Sequence, residues 1–306
     1  MDRFDSLRAF VQVVESGSLT RAADVLNVAT SAVSRRIKDL EAHLGTQLMQ
    51  RTTRQLRLTA AGEQFHMRAT QILQALEEAE VEAGDQATTL RGPLRIAAPL
   101  SFGQTHLAPI LIDFASQHPD VQLDVDLSDR MVDLVAEGHD LALRIGNLAD
   151  STLIARKLAD VRLIVCASPS FWKTHGTPKT PQDLTELPAL TYTGSERLDV
   201  WRYTAPDGSK GAVETSVAMR ASNGEYLCQA AMQGLGVVLQ PSFICCDGIR
   251  QGKLVPVLTD HNWPMVTIYL VYPQTRHVSA RARMFMDFVR DRIGQSPEWE
   301  ADLGLG

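Results

Sequence analysis

The stretch Thr30–Gly45, TSAVSRRIKDLEAHLG, decides how the first part of the chain folds. Val33, Ile37, Leu40 and Leu44 recur at three- and four-residue steps, the period of an amphipathic helix. On a wheel of about 100° per residue, the other three fall within roughly 40° of Val33. Ser31, Arg35, Lys38 and Ala42 fall on the opposite side, and Ser34 on the flank toward Glu41. One face therefore packs inward while the other carries hydroxyls and cations into solvent. Gly45 suits the helix end, because glycine adopts the left-handed backbone that closes a helix.

Upstream, Phe4, Leu7, Phe10, Val11 and Val14 predict a first amphipathic helix ending near Ser16-Gly17. Ser18 caps a second, shorter helix with Leu19, Ala22, Ala23 and Leu26 on its inner side. Asn27-Val28-Ala29 forms a tight turn into the third. Two helices joined by a turn, the second presenting its N-terminal end, make a helix-turn-helix. Downstream, QLMQRTTRQLRLT alternates apolar and polar residues around Arg51-Thr52-Thr53-Arg54, which predicts a short hairpin. Arg51, Arg54 and Arg57 would decorate it as a basic wing beside the helices.

A solvated helix face is the plainer reading of such cations, and the charge distribution argues against it. Residues 1–58 hold nine Lys/Arg and six Asp/Glu, a net of +3 inside a 306-residue chain of net charge -6. The rest of the chain therefore carries -9. A basic unit is drawn to phosphates by counterion release, while an acidic remainder limits nonspecific adhesion.

SLTRAADVLNVATSAVSRRIKDLEAHLGTQLMQRTTRQLRLTAAGE resembles the DNA-binding segment of LysR-type transcriptional regulators over its full length. The shared pattern, AAxxLxVxxxAVSRxIxxLExxLGxxLxxRxxRxxxLTxAG, is long and specific. The family commonly has Ser-Gln-Pro where this chain has Ala29-Thr30-Ser31, so Thr30 is expected to replace serine as helix cap. The glutamine that would read a base edge is absent, so target preference does not transfer. The resemblance implies that Thr30, Ser31, Ser34 and Arg35 meet the major groove. Arginine there binds guanine in bidentate fashion, worth about 1–3 kcal/mol of discrimination. Arg36, Lys38, Arg51 and Arg54 are assigned to phosphates. Ser18 and Thr20 touch the backbone or serve as caps.

From Thr59, AAGEQFHMRATQILQALEEAEVEAGDQA predicts a helix close to 30 residues long, with Phe65, Ala69, Ile72, Leu76 and Ala79 on one stripe. That stripe is buried either on a second copy or on the first domain of its own chain. The resemblance implies an antiparallel pair of such linkers, hence a homodimer or homotetramer on a target of approximate two-fold symmetry. Gly84 and residues 88–93 form the hinge into the next domain.

Beyond Leu94, strands alternate with helices, which indicates α/β architecture with largely parallel sheets. MVDLVAEGHD is read as a helix and turn. LIARKLADVRLIVCASP and VTIYLVYP are long enough to cross between two lobes, and LRIAAPLSF is echoed by LIVCASPSF. The family's effector domain looks like a type II periplasmic binding protein. The expected fold is thus an α/β effector domain of two Rossmann-like lobes, preceded by an all-α winged helix-turn-helix and a long linker helix. The expected boundaries are 1–58, 59–90 and 91–306, with lobe I about 91–161 and 268–295 and lobe II about 162–267.

Ligands of open α/β sheets gather at the carboxyl ends of strands. The effector candidates are therefore Ser101, Phe102, Ser128, Arg144, Ser168, Thr193 and Asn223, with Asp129, Ile145, Gly146 and Pro169 beside them. The N–H groups of the helix at Ser101 would hold an anion. Arg144 would face a carboxylate or form a structural ion pair, and each hydroxyl serves equally as a cap. The effector is expected to be an anionic or aromatic metabolite.

The alternatives are poorly supported by sequence. No GxSxG, P-loop, HExxH or His/Cys cluster occurs, and Gly234-Leu235-Gly236 lacks the third glycine of a dinucleotide fingerprint. No catalytic residue, metal or cofactor is assigned. Cys166, Cys228, Cys245 and Cys246 form no CxxC and are read as buried free thiols. No apolar run nears the roughly 20 residues that span a bilayer. The first residues make no signal peptide. A cytoplasmic regulator is expected, with double-stranded promoter DNA, a small-molecule effector and itself as partners, RNA polymerase as a further one, and no membrane contact. The terminal SPEWEADLGLG is expected to be disordered and is given no role.

Overall fold

The computed structural model describes residues 2–51, 56–83, 90–146, 153–194, 199–274, 278–294, 297–301 and 303. The chain divides into two units, one built on the residues before Arg91 and one on those after it.

The first unit holds helices α1 (Arg3–Ser16), α2 (Leu19–Val25), α3 (Thr30–Leu44) and α4 (Ala60–Ala83), with strands β1 (Met49–Arg51) and β2 (Leu56–Leu58) paired antiparallel. Gly17 and Gly45 close α1 and α3 in the left-handed region, at φ 64° and 67°. Asn27, at φ 53°, turns the chain between α2 and α3. Asp2 caps α1 and Ser18 caps α2 through the Arg21 N–H at 3.4 Å. Phe10, Val13, Ala22, Val33, Ile37 and Leu48 make the core of this unit. Phe4 and Leu44, placed on inner stripes by their spacing, are exposed at the first and last turns, where neighbouring elements have run out.

α3 also positions the wing. Glu41 Oε1 accepts the backbone N–H groups of Leu48 (2.9 Å) and Met49 (3.1 Å), so a helix side chain fixes where the hairpin begins. Charge-assisted bonds of this kind contribute about 1.5–3 kcal/mol each when partly sheltered. Glu41→Ala is expected to destabilise this unit by about 1–2 kcal/mol, and Glu41→Gln, which keeps an acceptor, by less. Urea denaturation followed by far-ultraviolet dichroism checks both, and equal midpoints for all three proteins would contradict it.

α4 is a 24-residue helix. Thr59 caps it through the Gly62 N–H (2.9 Å), as its position suggests. Its N-terminal half packs on its own domain: Ala69 is buried, and the Phe65 ring meets Phe10 edge-on at 5.5 Å. Ile72 faces outward, 49% exposed. The apolar stripe is therefore divided, and its own domain takes the first share. Residues 84–89, which include the Gly84 hinge and the start of the 88–93 stretch, lie outside the described residues.

The second unit contains β3 (Gly92–Ala98), α5 (Leu100–Phe102), a π turn over Gly103–Leu107, α6 (Ala108–Gln117), β4 (Val121–Leu127), β5 (Leu141–Ile145) and the long β6 (Leu153–Ala167). It continues with α7 (Pro169–His175), β7 (Pro188–Tyr192), β8 (Val200–Thr204), β9 (Lys210–Glu214), β10 (Ser216–Ala221), α8 (Gly224–Met232), β11 (Val237–Pro241) and α9 (Ser242–Arg250). β12 (Val255–Pro256), β13 (Met265–Pro273) and α10 (Ala280–Ile293) complete it, with a final 3-10 turn at Glu298–Glu300.

β6 and β13 run the length of this unit. β13 pairs antiparallel with β6 from Met265↔Arg162 to Pro273↔Leu153, and from Leu163 onward β6 turns to β11 instead. On one side lie β5, β3 and β4, with β3 parallel to both neighbours. On the other lie β11, β7 and β10, again parallel. Each side has its own core, Ala97, Val132, Ala142 and Val271 in the first lobe and Val165, Phe171, Trp172, Ala189 and Val237 in the second.

The sheet is mixed where largely parallel pairing was expected. The strands that cross between lobes return in opposite directions, so β6, β11, β12 and β13 pair antiparallel. Two local expectations fail as well. MVDLVAEGHD forms turns with no helix, its few apolar residues Val132 and Leu134 being spent on the lobe core. The hairpin β8–β9 was missed, although Asp207-Gly208 between alternating segments is a hairpin signal. The C-terminal segment expected to be disordered is ordered over residues 297–301, with Trp299 and Leu303 buried.

Candidate functional sites

The outer face of α3 is assembled as its periodicity implies. Val33, Ile37 and Leu40 are buried, while Thr30, Ser31, Arg35 and Lys38 are exposed. Ser34 sits at the flank, partly covered. Among the described residues, no hydrogen bond or ion pair engages Arg35 or Lys38. Arg36 differs: its Nη2 donates to Asp5 Oδ2 at 2.7 Å, tying α3 to α1. A phosphate contact by Arg36 would share that guanidinium with Asp5. Thr30 does not cap α3. Ala29 occupies the cap position, φ -68° and ψ 142°, with no side-chain bond, and Thr30 is the first helical residue. Thr20 is exposed on α2, and Ser18 is engaged as its cap. Arg57 is exposed on β2. Arg54 and the side chain of Arg51 lie outside the described residues.

In the second unit, three sequence candidates converge. Asn223 caps α8 by accepting the Tyr226 N–H at 2.9 Å. Its Nδ2 reaches from the second lobe to Ser101 Oγ (3.1 Å) and Asp129 Oδ2 (3.3 Å) in the first. The other Asp129 oxygen accepts the Leu100 N–H at 3.0 Å. The N–H group expected to await an anion is thus already held by the chain's own carboxylate. Burial, and then the Asp129 charge, push the Tyr192 phenol above its ordinary range. Gln240 is buried with its Nε2 unpartnered among the described residues, and its carboxamide lies against Gly224.

The remaining candidates do not join this group. Phe102 is 0% exposed and stacks edge-on with Phe243 (5.2 Å) and Trp299 (5.4 Å), so it is core and offers no surface to a ligand. Nearby His106 donates from Nε2 to the Phe243 carbonyl at 3.0 Å, and burial holds its pKa below the usual value. Ser168 caps α7 through the Phe171 N–H (3.2 Å) and is buried. Ser128 accepts the Arg130 N–H at 3.3 Å. Arg144 donates to the Val132 carbonyl (2.8 Å), with its pKa lowered by burial. Thr193 is exposed and its N–H goes to Ala221 O. Sequence reasoning placed Asp129 only beside Ser128 and missed Gln240 altogether. A lone buried glutamine on an apolar strand was the available signal for the second.

The cysteines are free and buried, as read from sequence. Cys245 Sγ lies 3.7 Å from that of Cys166 and 3.6 Å from that of Cys228. Hydrogen bonding to the neighbouring thiol, and then burial, push Cys228 and Cys245 well above the ordinary thiol range. They are poor nucleophiles in this state.

Residues 4–63 match the family described as bacterial regulatory helix-turn-helix protein, lysR family, and residues 87–294 match the LysR substrate binding domain. The chain belongs to the LysR family. This LysR regulator is 36% identical over 293 residues to the HTH-type transcriptional regulator CrgA of Neisseria meningitidis, covering 95% of this chain and 97% of CrgA. It is 33% identical over 299 residues to an HTH-type transcriptional repressor of Pseudomonas aeruginosa, covering 97% and 94%. The solved structure of CrgA aligns with a TM-score of 0.61 at 37% identity, over 95% of this chain and 99% of that one. Full-length AphB, the Vibrio cholerae virulence activator, aligns at 0.59 and 30%, over 93% and 97%. These relatives are transcriptional regulators and not enzymes. The LysR regulator accordingly pairs a helix-turn-helix DNA-binding domain with a two-lobed effector domain. Among its described residues, no helix is long and apolar enough to cross a membrane.

Proposed function

We propose that this LysR regulator reads promoter DNA through Thr30, Ser31, Ser34 and Arg35 of α3, with Lys38, Arg51, Arg54 and the α2 residues Ser18 and Thr20 on the backbone. The observation that carries this reading is the pair Arg35 and Lys38, exposed on the helix face opposite the buried Val33, Ile37 and Leu40. Arg36 contributes mainly by holding α3 to α1 through Asp5. The domains run 1–58, 59–90 and 91–306. The switch of β6 from β13 to β11 between Arg162 and Leu163 supports a lobe boundary there. The exposed Ile72 supports pairing of α4 with a second copy, as dimer or tetramer. The effector lies between the lobes, where it competes with the Asn223 bridge to Ser101 and Asp129, and it shifts the population toward the lobe arrangement it binds best. The regulator acts in the cytoplasm, where RNA polymerase is its further partner.

Gel-shift titrations of the gene's own upstream fragment against random DNA, across salt concentrations, test the reading. Lys38→Ala is expected to weaken both duplexes alike and to flatten the slope of log affinity against log salt by about one per DNA-bound subunit. An unchanged slope removes Lys38 from the interface.

A further inference from the structure

The segment 297–301 lies beyond the residues matched by the family's effector domain, which end at 294. It is nonetheless built into the second unit at three places. Trp299, 5% exposed, sets its ring 5.4 Å from Phe102 and 4.8 Å from His106, both in the helical turns that open the first lobe. The same ring lies 6.4 Å from Phe243 on α9 of the second lobe. Glu300 Oε1 accepts the Arg162 N–H (3.1 Å) and the Ser242 hydroxyl (2.9 Å), and Oε2 pairs with the Arg162 guanidinium at 3.4 Å. Arg162 is the residue at which β6 leaves β13 for β11. Arg250 of α9 fastens the segment by donating to the Glu298 (2.7 Å) and Ala301 (3.1 Å) carbonyls.

A surface tail does not bury an indole and a carboxylate's hydrogen bonds without a partner to hold. Ordering a terminal segment has an entropic cost on every residue, which only specific contacts offset. Here those contacts fall on both lobes and on the strand that joins them. We propose that residues 297–301 form a brace between the lobes, with Trp299 and Glu300 as positioning residues of the effector cleft. Trp299 presses the turn carrying Phe102 toward α9, which keeps the adjacent Ser101 within reach of Asn223. Glu300 fixes the crossing point around which the lobes would turn. The brace thereby sets the resting opening of the cleft before any effector arrives.

Hydrogen–deuterium exchange on the full chain without ligand tests this, so its outcome is separate from whether the cleft binds an effector at all. Trp299→Ala is expected to speed exchange about tenfold in residues 100–107 and 162–166, leaving β7, β10 and α3 unchanged. Trp299→Phe, which keeps an aromatic face, is expected to restore most of the protection. Glu300→Ala supplies the second variant if Trp299→Ala does not accumulate, and should speed exchange at Arg162 and over 100–107 together. Unchanged exchange in 100–107 would overturn the brace. So would an equal rise in β7 and β10, which would make Trp299 a general stabiliser, or a Trp299→Phe protein that behaves like the alanine variant.

Discussion

Arg35→Ala is expected to lower affinity for the operator roughly 10- to 100-fold while affinity for random DNA falls only a few-fold. The asymmetry comes from what the side chain offers. A guanidinium facing base edges forms two parallel bonds to guanine, worth about 1–3 kcal/mol of discrimination, whereas a phosphate contact is indifferent to sequence. Arg35 is exposed on the face of α3 away from the core, and its loss leaves Val33, Ile37 and Leu40 packed as before. The variant should therefore keep its thermal midpoint and its oligomeric mass by light scattering. Operator and random-DNA titrations at one salt concentration read the effect. Equal operator affinity for variant and parent would remove Arg35 from the groove.

The second large effect concerns stability. Gly62→Ala is expected to destabilise the DNA-binding unit by about 2–3 kcal/mol, net of the roughly 1 kcal/mol that alanine gains over glycine in a helix. A Cβ at Gly62 would lie 2.0 Å from the Leu48 carbonyl oxygen and 2.9 Å from its carbon. Leu48 has no room to retreat. Its N–H is held by Glu41, and its carbonyl accepts the Thr59 N–H at 3.0 Å and the Thr59 hydroxyl at 3.3 Å. The first turn of α4, the start of the wing and the end of α3 thus meet at one residue, Leu48. Operator binding should be lost with folding, at a lower denaturant concentration than in the parent. A midpoint equal to or above the parent's would show that Leu48 yields.

Much of this first unit is legible in sequence because its signals are local. The three- and four-residue spacing of Val33, Ile37 and Leu40 fixes which face is buried, and Gly17, Asn27 and Gly45 mark the turns. Arg36 escaped the same reading because its partner, Asp5, lies 31 positions away, and no periodicity reports a pair across two helices. In the second unit the end of β3 and the start of α8 single out Ser101 and Asn223, which the fold brings into hydrogen-bond contact. Phe102 was misplaced because one-dimensional position at a strand end does not say which way a side chain turns. The segment at Trp299 was passed over because one tryptophan among acids carries no period, and its value lies wholly in tertiary contacts.

The ribbon of β6 and β13 has a bearing on how any signal crosses. Ladder pairing from Leu153 to Arg162, broken once at Leu158, means that the lobes are joined by sheet and not by slack loops. β5 backs β13 from Ile268 to Val271, so beside Arg162 β6 and β13 pair without it only over residues 265–267. Between Ile268 and Tyr269 the register skips Leu158, a bulge that bends β6 and raises its local twist where β5 already backs β13. A signal passed from one lobe to the other is then carried by twisting of paired strands and not by the swing of a free linker.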